Sequence, residues 1–330
     1  MQAATTGGTV RNGERVRLTG RGLLMRAARH PNYRPPSSLP RELRRAPVAA
    51  PVRSWIERAT GAAVVGVRRL PGASSTAVHL VTLSGGGRAV LRRYVWPGFL
   101  EDEPLAAERE LAALRFAAAA GLPVPDVLAA DVGGADVGDG VPALLMTFVA
   151  GTAVAVPDLH RLAEAAASVH AVDGSGFPHD YFRWFAATTI APPSGAAWPA
   201  LWEAAFEVWQ AQMPSYPARF IHRDFHPGNV LWVRRHVSGI VDWANACRGP
   251  AGCDVATCSR NLIDLGGADV AARFIAAYEA VTGQEHHPYW EVASVFEHGP
   301  SPWSAQEVDR GEARLAGALA VMGRLPHRSP

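Results

Sequence analysis

Between Phe220 and Trp243 the chain reads FIHRDFHPGNVLWVRRHVSGIVDW, which sets a His-x-Asp ahead of an Asn and a second Asp, each beside an apolar run. These side chains suit phosphoryl transfer. Moving a γ-phosphoryl group to a hydroxyl needs a carboxylate near the attacking oxygen and oxygen ligands for the Mg2+ that neutralises the phosphates. Asp224 has the chemistry of the base, and Asn229 and Asp242 have that of the metal ligands. Pro227 and Gly228, between Asp224 and Asn229, suit a rigid turn that keeps both side chains on one side of a loop. Residues 230–233 and 238–241 read as two short strands around residues 234–237, a hairpin that returns Asp242 beside Asn229.

Other elements must carry the phosphates to this loop. Residues 63–70, 76–83 and 88–94 read as three strands by β-branched content and bounding turn residues, a meander. The small-residue loop between the first two, with Ser74 and Ser75, is placed to lie over phosphates and offer backbone N–H groups, although most such stretches are plain turns. A helix is expected over residues 104–120, with Leu111 and Leu114 at an apolar step and alanines supplying propensity. It offers two carboxylates to the sheet, Glu108 and Glu110. They lie roughly 200° apart around a helix, so only one faces the third strand. The chain contains no lysine, its 32 basic residues all being arginine. Any phosphate-binding cation on that strand is therefore an arginine, a fork of donors with a permanent charge.

The run from His222 to Leu231, followed by Val241-Asp242-Trp243, resembles the signature of aminoglycoside phosphotransferases and their small-molecule kinase relatives, distant cousins of protein kinases. The resemblance covers about residues 51–322. It implies an α+β, two-lobed protein-kinase-like fold with a small β-rich N-terminal lobe and a larger, mainly helical C-terminal lobe. It selects Arg92 as the contact to the α- and β-phosphates and favours Glu110 as its partner, with Glu108 the alternative. Residues 144–151 resemble the strand and hinge of that family, where apolar side chains such as Met146 pack on the purine and backbone groups of Thr147 and Val149 read its edge. His222, Arg223 and His226 are implied to support the catalytic loop. Asp254 is implied to start a helix that braces it. The implied donor is ATP or GTP with Mg2+, and the implied acceptor is a small-molecule hydroxyl.

Length and composition fit this layout. The 330 residues exceed one typical core, and no apolar run reaches the ~20 residues that span a bilayer. We expect a basic arm over residues 1–44, a nucleotide-binding lobe over 45–149 and a catalytic and substrate-binding lobe over 150–330. Residues 1–53 hold 11 arginines against Glu14 and Glu42, whereas the remainder holds 21 against 28 acids. The arm lacks interleaved stacking aromatics, so nucleic acid is not the expected partner. The acidic remainder suits a cationic substrate. Cys247, Cys253 and Cys258 match no zinc-site spacing and read as buried thiols, which with no secretory signal points to the cytoplasm.

Beyond the hinge, Asp158 is expected to cap a helix that ends near His170. Residues 178–217 hold nine aromatics, among them Trp184 and Phe185. Trp202, Phe206 and Trp209 fall at helical spacing and read as core. Helices are expected over 269–281, 289–297 and 304–322, the last opened by the capping-box pattern Ser304-Ala305-Gln306-Glu307. Two other functional classes fit parts of the pattern. One is a silent nucleotide- or ligand-binding relative, which arginine in place of lysine permits. The other is a metal-dependent hydrolase using His222, Asp224, His226 and Asp242. The residues leave the acceptor and the oligomeric state open.

Overall fold

The computed structural model describes residues 48–70, 76–183, 192–211, 213–298 and 304–327. The arm expected over residues 1–44 lies outside these, as do Ser74, Ser75, Trp184 and Phe185. The first described element is helix α1 (Ala50–Thr60), which has Pro51 in its first turn and ends on Gly61 at φ 67°. That is the left-handed conformation glycine adopts without steric cost.

Strands β1 (Val64–Arg69), β2 (Ala77–Leu83) and β3 (Arg88–Arg93) form the expected meander. After helices α2 (Pro97–Asp102) and α3 (Ala106–Ala119), two more strands, β4 (Val127–Asp131) and β5 (Ala143–Thr147), complete an antiparallel sheet of order β1-β2-β3-β5-β4. Side chains alternate between the faces of a strand. Ala89 and Leu91 therefore join Val52, Trp55 and Ile56 of α1 in one core cluster. Val90 and Arg92 turn to the other face, where Val90 packs on a second cluster containing Tyr94, Leu114, Met146, Phe220, Phe225 and Trp243. This second cluster joins the sheet to the helical part.

The C-terminal part begins with β6 (Thr152–Ala153) and α4 (Leu159–His170), the latter capped by the Asp158 carboxylate, which accepts from the Arg161 N–H at 3.3 Å. Helix α5 (Pro199–Gln210) buries Trp202 and Trp209 against Phe296 and Leu315 in a third cluster. Each such side chain stabilises the fold by about 1.5–3 kcal/mol relative to exposure. Next come β7 (Arg219–Ile221), β8 (Val230–Val233), β9 (His236–Ile240) and β10 (Cys247–Gly249). The β8–β9 hairpin turns at Arg234 and Arg235, a turn two residues shorter than expected, because His236 and Val237 already pair with Val233 and Trp232. Helices α6 (Ala251–Gly266), α7 (Ala268–Thr282), α8 (Tyr289–His298) and α9 (Ala305–Val321) close the chain. Ser304 and Glu307 cap α9 reciprocally. Among the described residues no helix is long and apolar enough to cross a membrane.

Candidate active site

Two short ladders aim the polar loop at the cleft. The β7–β10 pair, with Ile221 opposite Cys247, fixes the start of the loop, and the β8–β9 hairpin fixes its end. Between them the Asn229 N–H donates to the His226 carbonyl at 2.9 Å, and the Asn229 carbonyl accepts from the Val241 N–H at 2.9 Å. The second bond holds the residue before Asp242 against Asn229. A Cβ on Gly228 would lie 2.6 Å from Cε1 of the His226 ring, so a larger residue there would displace that ring. Arg223 at φ 64° and Asp242 at φ 69° occupy the left-handed region, uncommon for residues with a Cβ. Strain of this kind collects where a side chain must be aimed rather than merely packed.

The supporting groups are spent inside the loop. His222 is fully buried; its Nε2 donates to the Val241 carbonyl at 2.9 Å and its Nδ1 accepts from the Asp224 N–H at 3.3 Å. Burial holds its imidazole below the ordinary value, which keeps that neutral tautomer. The His222 N–H donates to Oδ2 of Asp254 at 2.7 Å, and the same oxygen meets His170 Nε2 at 3.1 Å. Tyr278 completes the chain, its hydroxyl 2.7 Å from His170 Nδ1. The Arg223 guanidinium lies 4.4 Å from the ring centroid of Phe182 and 5.0 Å from that of Tyr181, and it donates to the Phe182 carbonyl. Cation–π contact of this kind pins the loop from behind.

Facing the cleft, Asn229 Nδ2 donates to the Asp224 carbonyl at 3.0 Å and approaches Asp224 Oδ2 at 3.5 Å. The amide nitrogen is thereby turned inward and the amide oxygen is left for the cleft. Arg92 Nη1 donates to Glu110 at 2.7 Å and to Asp242 Oδ1 at 2.7 Å, so the sheet, helix α3 and the loop meet at one guanidinium. Glu110 is buried and also accepts from the Tyr94 hydroxyl, whereas Glu108 is exposed. Asp224 and Asp242 keep 34% and 37% of their side chains accessible, enough to meet a ligand.

The electrostatics separate the two aspartates. Burial, with the Asp242 charge adding to it, pushes the Asp224 carboxyl up to about 7. Burial acts the same way on Asp242, but the Arg92 charge and hydrogen bond outweigh it and hold Asp242 below the usual carboxylate range. His226 is driven down to about 4 by burial and by His222, so it is neutral at physiological pH. Its Nδ1 accepts from the Gly228 N–H at 3.0 Å.

Two of the hinge residues are already engaged within the fold. Met146 is 5% exposed within the core, because β5 is covered on both faces, so its side chain offers little surface to a purine. The Thr147 N–H is committed to the Asp126 carbonyl at 2.9 Å, so Thr147 has no backbone donor to give. Val149 is placed against the β8–β9 hairpin, where its Cγ1 would be 2.6 Å from a Cβ on Gly239. Tyr94 was not singled out by the sequence, although its position two residues beyond Arg92 puts it on the same strand face.

A five-stranded antiparallel sheet, a helical C-terminal part and a polar site at their junction define an α+β protein-kinase-like fold. The chain belongs to the phosphotransferase enzyme family, whose sequence profile matches residues 66–296. A homoserine kinase from Mesorhizobium japonicum is 32% identical over 133 residues, a match spanning 36% of this chain and only 41% of that relative's length. Among solved structures, a thermostable mutant of aminoglycoside phosphotransferase APH(4)-Ia, in ternary complex with AMP-PNP and hygromycin B, aligns with TM-score 0.57 at 15% identity, covering 82% of this chain and 98% of that one. A Ralstonia eutropha protein described as a candidate aminoglycoside phosphotransferase gives 0.53 at 16% identity over 84% and 98% of the two chains. Macrolide 2'-phosphotransferase type I gives 0.51 at 19% over 86% and 99%.

Proposed function

We propose that this chain transfers the γ-phosphoryl group of ATP or GTP to a hydroxyl of a small molecule. The observation that carries the reading is the meeting of Arg92, Glu110 and Asp242 in one ion-paired cluster, beside a loop in which Asn229 is hydrogen-bonded to Asp224. Asn229 Oδ1 and Asp242 Oδ2 form a hard, all-oxygen donor pair of the kind Mg2+ takes, and they would hold the ion. When bound, it neutralises phosphate charge.

The chain's own residues supply the rest. Arg92 grips the α- and β-phosphates through its remaining donors. Asp224 orients the acceptor hydroxyl and takes its proton; the acceptor oxygen forms a bond to the γ-phosphorus, and the bond from that phosphorus to the bridging oxygen breaks as the nucleoside diphosphate leaves. His222, Arg223 and Asp254 hold the loop, and His226 stays neutral beside it. The lobes are assigned to residues 45–149 and 150–330, and the setting is the cytoplasm, where nucleoside triphosphate is supplied. Relatives described as binding AMP-PNP and as a homoserine kinase support this donor and this reaction class. The hydrolase alternative is disfavoured, since both ring nitrogens of His222 are committed. Among the described residues no group of three or more His, Cys, Asp or Glu side chains is arranged around a metal position.

The test is nucleotide binding with and without Mg2+, alongside ADP release, in Asp224→Ala and Asp242→Asn variants. Asp224→Ala should lose turnover and keep Mg2+-dependent binding; Asp242→Asn should lose both. Loss of nucleotide binding in Asp224→Ala with the fold intact would count against this division of roles.

A further inference from the structure

Helices α4, α6 and α7 pack on one another and meet behind the catalytic loop at a single oxygen atom. Oδ2 of Asp254, in the first turn of α6, accepts from the His222 N–H at 2.7 Å. The same atom lies 3.1 Å from Nε2 of His170, the last residue of α4. The other oxygen, Oδ1, is buried and has no hydrogen-bond partner among the described residues. Asp254 is 0% exposed. A carboxylate in that state depends on each donor it has, because burial removes the water that would replace a lost one. The His222 N–H is fixed by the backbone. Among the described residues, His170 is therefore the one side chain that donates to this carboxylate and sets its rotation.

Tyr278 of α7 decides how His170 presents itself. Its hydroxyl lies 2.7 Å from His170 Nδ1, and the two rings meet edge to face with centroids 5.5 Å apart. Burial, with the Asp254 charge adding to it, pushes the tyrosine's ionisation up, so the hydroxyl keeps its proton. A carboxylate only accepts, so a ring with one proton carries it on Nε2; Nδ1 is then the acceptor and the Tyr278 hydroxyl the donor. Beyond Asp254, the His222 ring reaches both catalytic aspartates. Its Nδ1 accepts from the Asp224 N–H at 3.3 Å, and its Nε2 donates at 2.9 Å to the carbonyl of Val241, the residue before Asp242. Asp242 has a second anchor in Arg92 at 2.7 Å. The Asp224 carboxylate is approached only by Asn229 Nδ2 at 3.5 Å and His226 Nε2 at 3.9 Å. A shift of the loop therefore falls on Asp224 more than on Asp242.

We propose that Tyr278 and His170 are positioning residues for phosphoryl transfer: the tyrosine hydroxyl fixes the proton on His170 Nε2, that N–H orients the Asp254 carboxylate, and the carboxylate sets where Asp224 meets the acceptor hydroxyl. This rests on the phosphotransferase reading above. Neither residue takes part in bond making; both act through Asp254 and His222. A glutamine amide nitrogen can stand where Nε2 stands, whereas that of asparagine stands where Nδ1 stands. The two replacements of His170 thus separate its contact to Asp254 from its contact to Tyr278.

The test measures Mg2+-dependent ATP binding and the release of ADP from MgATP, without acceptor and with homoserine or hygromycin B. It compares the native chain with Tyr278→Phe, His170→Gln and His170→Asn. Nitrogen NMR of the histidine rings shows which atom carries the proton, the His170 signal being the one lost in His170→Gln. His170 protonated at Nε2 alone is expected. Tyr278→Phe should lower kcat by about 2- to 10-fold, the effect of one neutral hydrogen bond. His170→Asn should lower it by up to about 100-fold, as a misaimed reacting group does, and His170→Gln should recover most of that loss. ATP binding, its dependence on Mg2+ and the KM for ATP should be unchanged in all three. A proton on Nδ1 overturns the proposal, as does native kcat in Tyr278→Phe or equal kcat in the two His170 variants. A joint loss of kcat, ATP binding and melting temperature also overturns it, by reducing the pair to a packing contact. A native chain that releases no ADP under any of these conditions refutes the phosphotransferase reading, and the proposal with it.

Discussion

Arg92 and Asp242 are separated by 150 positions in sequence and joined by a 2.7 Å ion pair. The same Arg92 nitrogen holds Glu110, which is 1% exposed. Removing the guanidinium leaves two carboxylates facing each other, one of them without water. Breaking one side of such a buried pair costs about 3–5 kcal/mol. Arg92→Ala should therefore lower stability in urea denaturation by an amount in that range and weaken nucleotide binding as well. Arg92→Lys should retain much of the stability, since an ammonium reaches the same carboxylates, while losing the fork for two phosphate oxygens. Unchanged stability in Arg92→Ala would mean that the cluster is not held as described.

Asp224 shows the opposite imbalance. Burial and the Asp242 charge place its carboxyl at about 7. A base must be unprotonated, so kcat/KM should fall as pH drops through neutrality, which a pH–rate profile would show. The stability effect has the reverse sign. A carboxyl whose folded value is raised favours the protonated folded state, so the stability tied to Asp224 is complete below its unfolded value near 3.8 and is lost as pH rises toward about 7. Asp224→Asn should accordingly raise the melting temperature at pH 8 more than at pH 5 while abolishing turnover. A uniform shift at both values would remove the electrostatic explanation.

The local part of this site was legible in the sequence because it is built within one stretch of chain. A Pro-Gly turn and a two-strand hairpin leave few ways to arrange Asp224, Asn229 and Asp242. The absence of lysine made any phosphate-binding cation on β3 an arginine, and the family resemblance, not the spacing, singled out Arg92. The choice between Glu108 and Glu110 needed the angle at which α3 meets the sheet, which no spacing within the helix contains. Strand β4 went unread because Leu128, Ala129 and Ala130 carry little β-propensity, and pairing with β5 overrides that. The same pairing shapes the hinge, where β4 lies beside β5 and Asp126, just before β4, takes the Thr147 N–H. His170 reads in the sequence as a packing or capping histidine, and its bond to Asp254 across 84 positions depends on how α4 packs on α6.

Glu291 anchors the C-terminal helices. Burial opposes its ionisation, but the Arg314 charge and the His286 hydrogen bond prevail and bring its carboxyl down to about 2. A depressed folded value means that its stabilisation is present above the unfolded value near 4.5 and disappears as pH falls toward about 2. Urea midpoints measured down that range should decline for the native chain. In Glu291→Gln the decline should be shallower, with lower stability at neutral pH because Arg314 loses its partner. Parallel declines would locate the acid sensitivity elsewhere.

Two glycines in helices should respond oppositely to alanine. A Cβ on Gly252, in the first turn of α6, would lie 2.1 Å from the Trp290 ring, which is itself packed in the core between Tyr289 and Tyr216. The ring has no room to retreat, so α6 must shift, and Asp254 with it. Overpacking of this kind costs about 1–3 kcal/mol. Gly252→Ala should therefore lose both stability and activity, the latter through the bond from the His222 N–H to Asp254. Gly317 is exposed within α9, has ordinary helical backbone and meets nothing within 4 Å of an added Cβ. There alanine removes only the entropic cost of glycine, so Gly317→Ala should gain about 0.5–1 kcal/mol with unchanged kinetics. Urea denaturation of the pair separates the two effects: a neutral Gly252→Ala would show that Trp290 can move and that α6 does not depend on close contact there to hold Asp254.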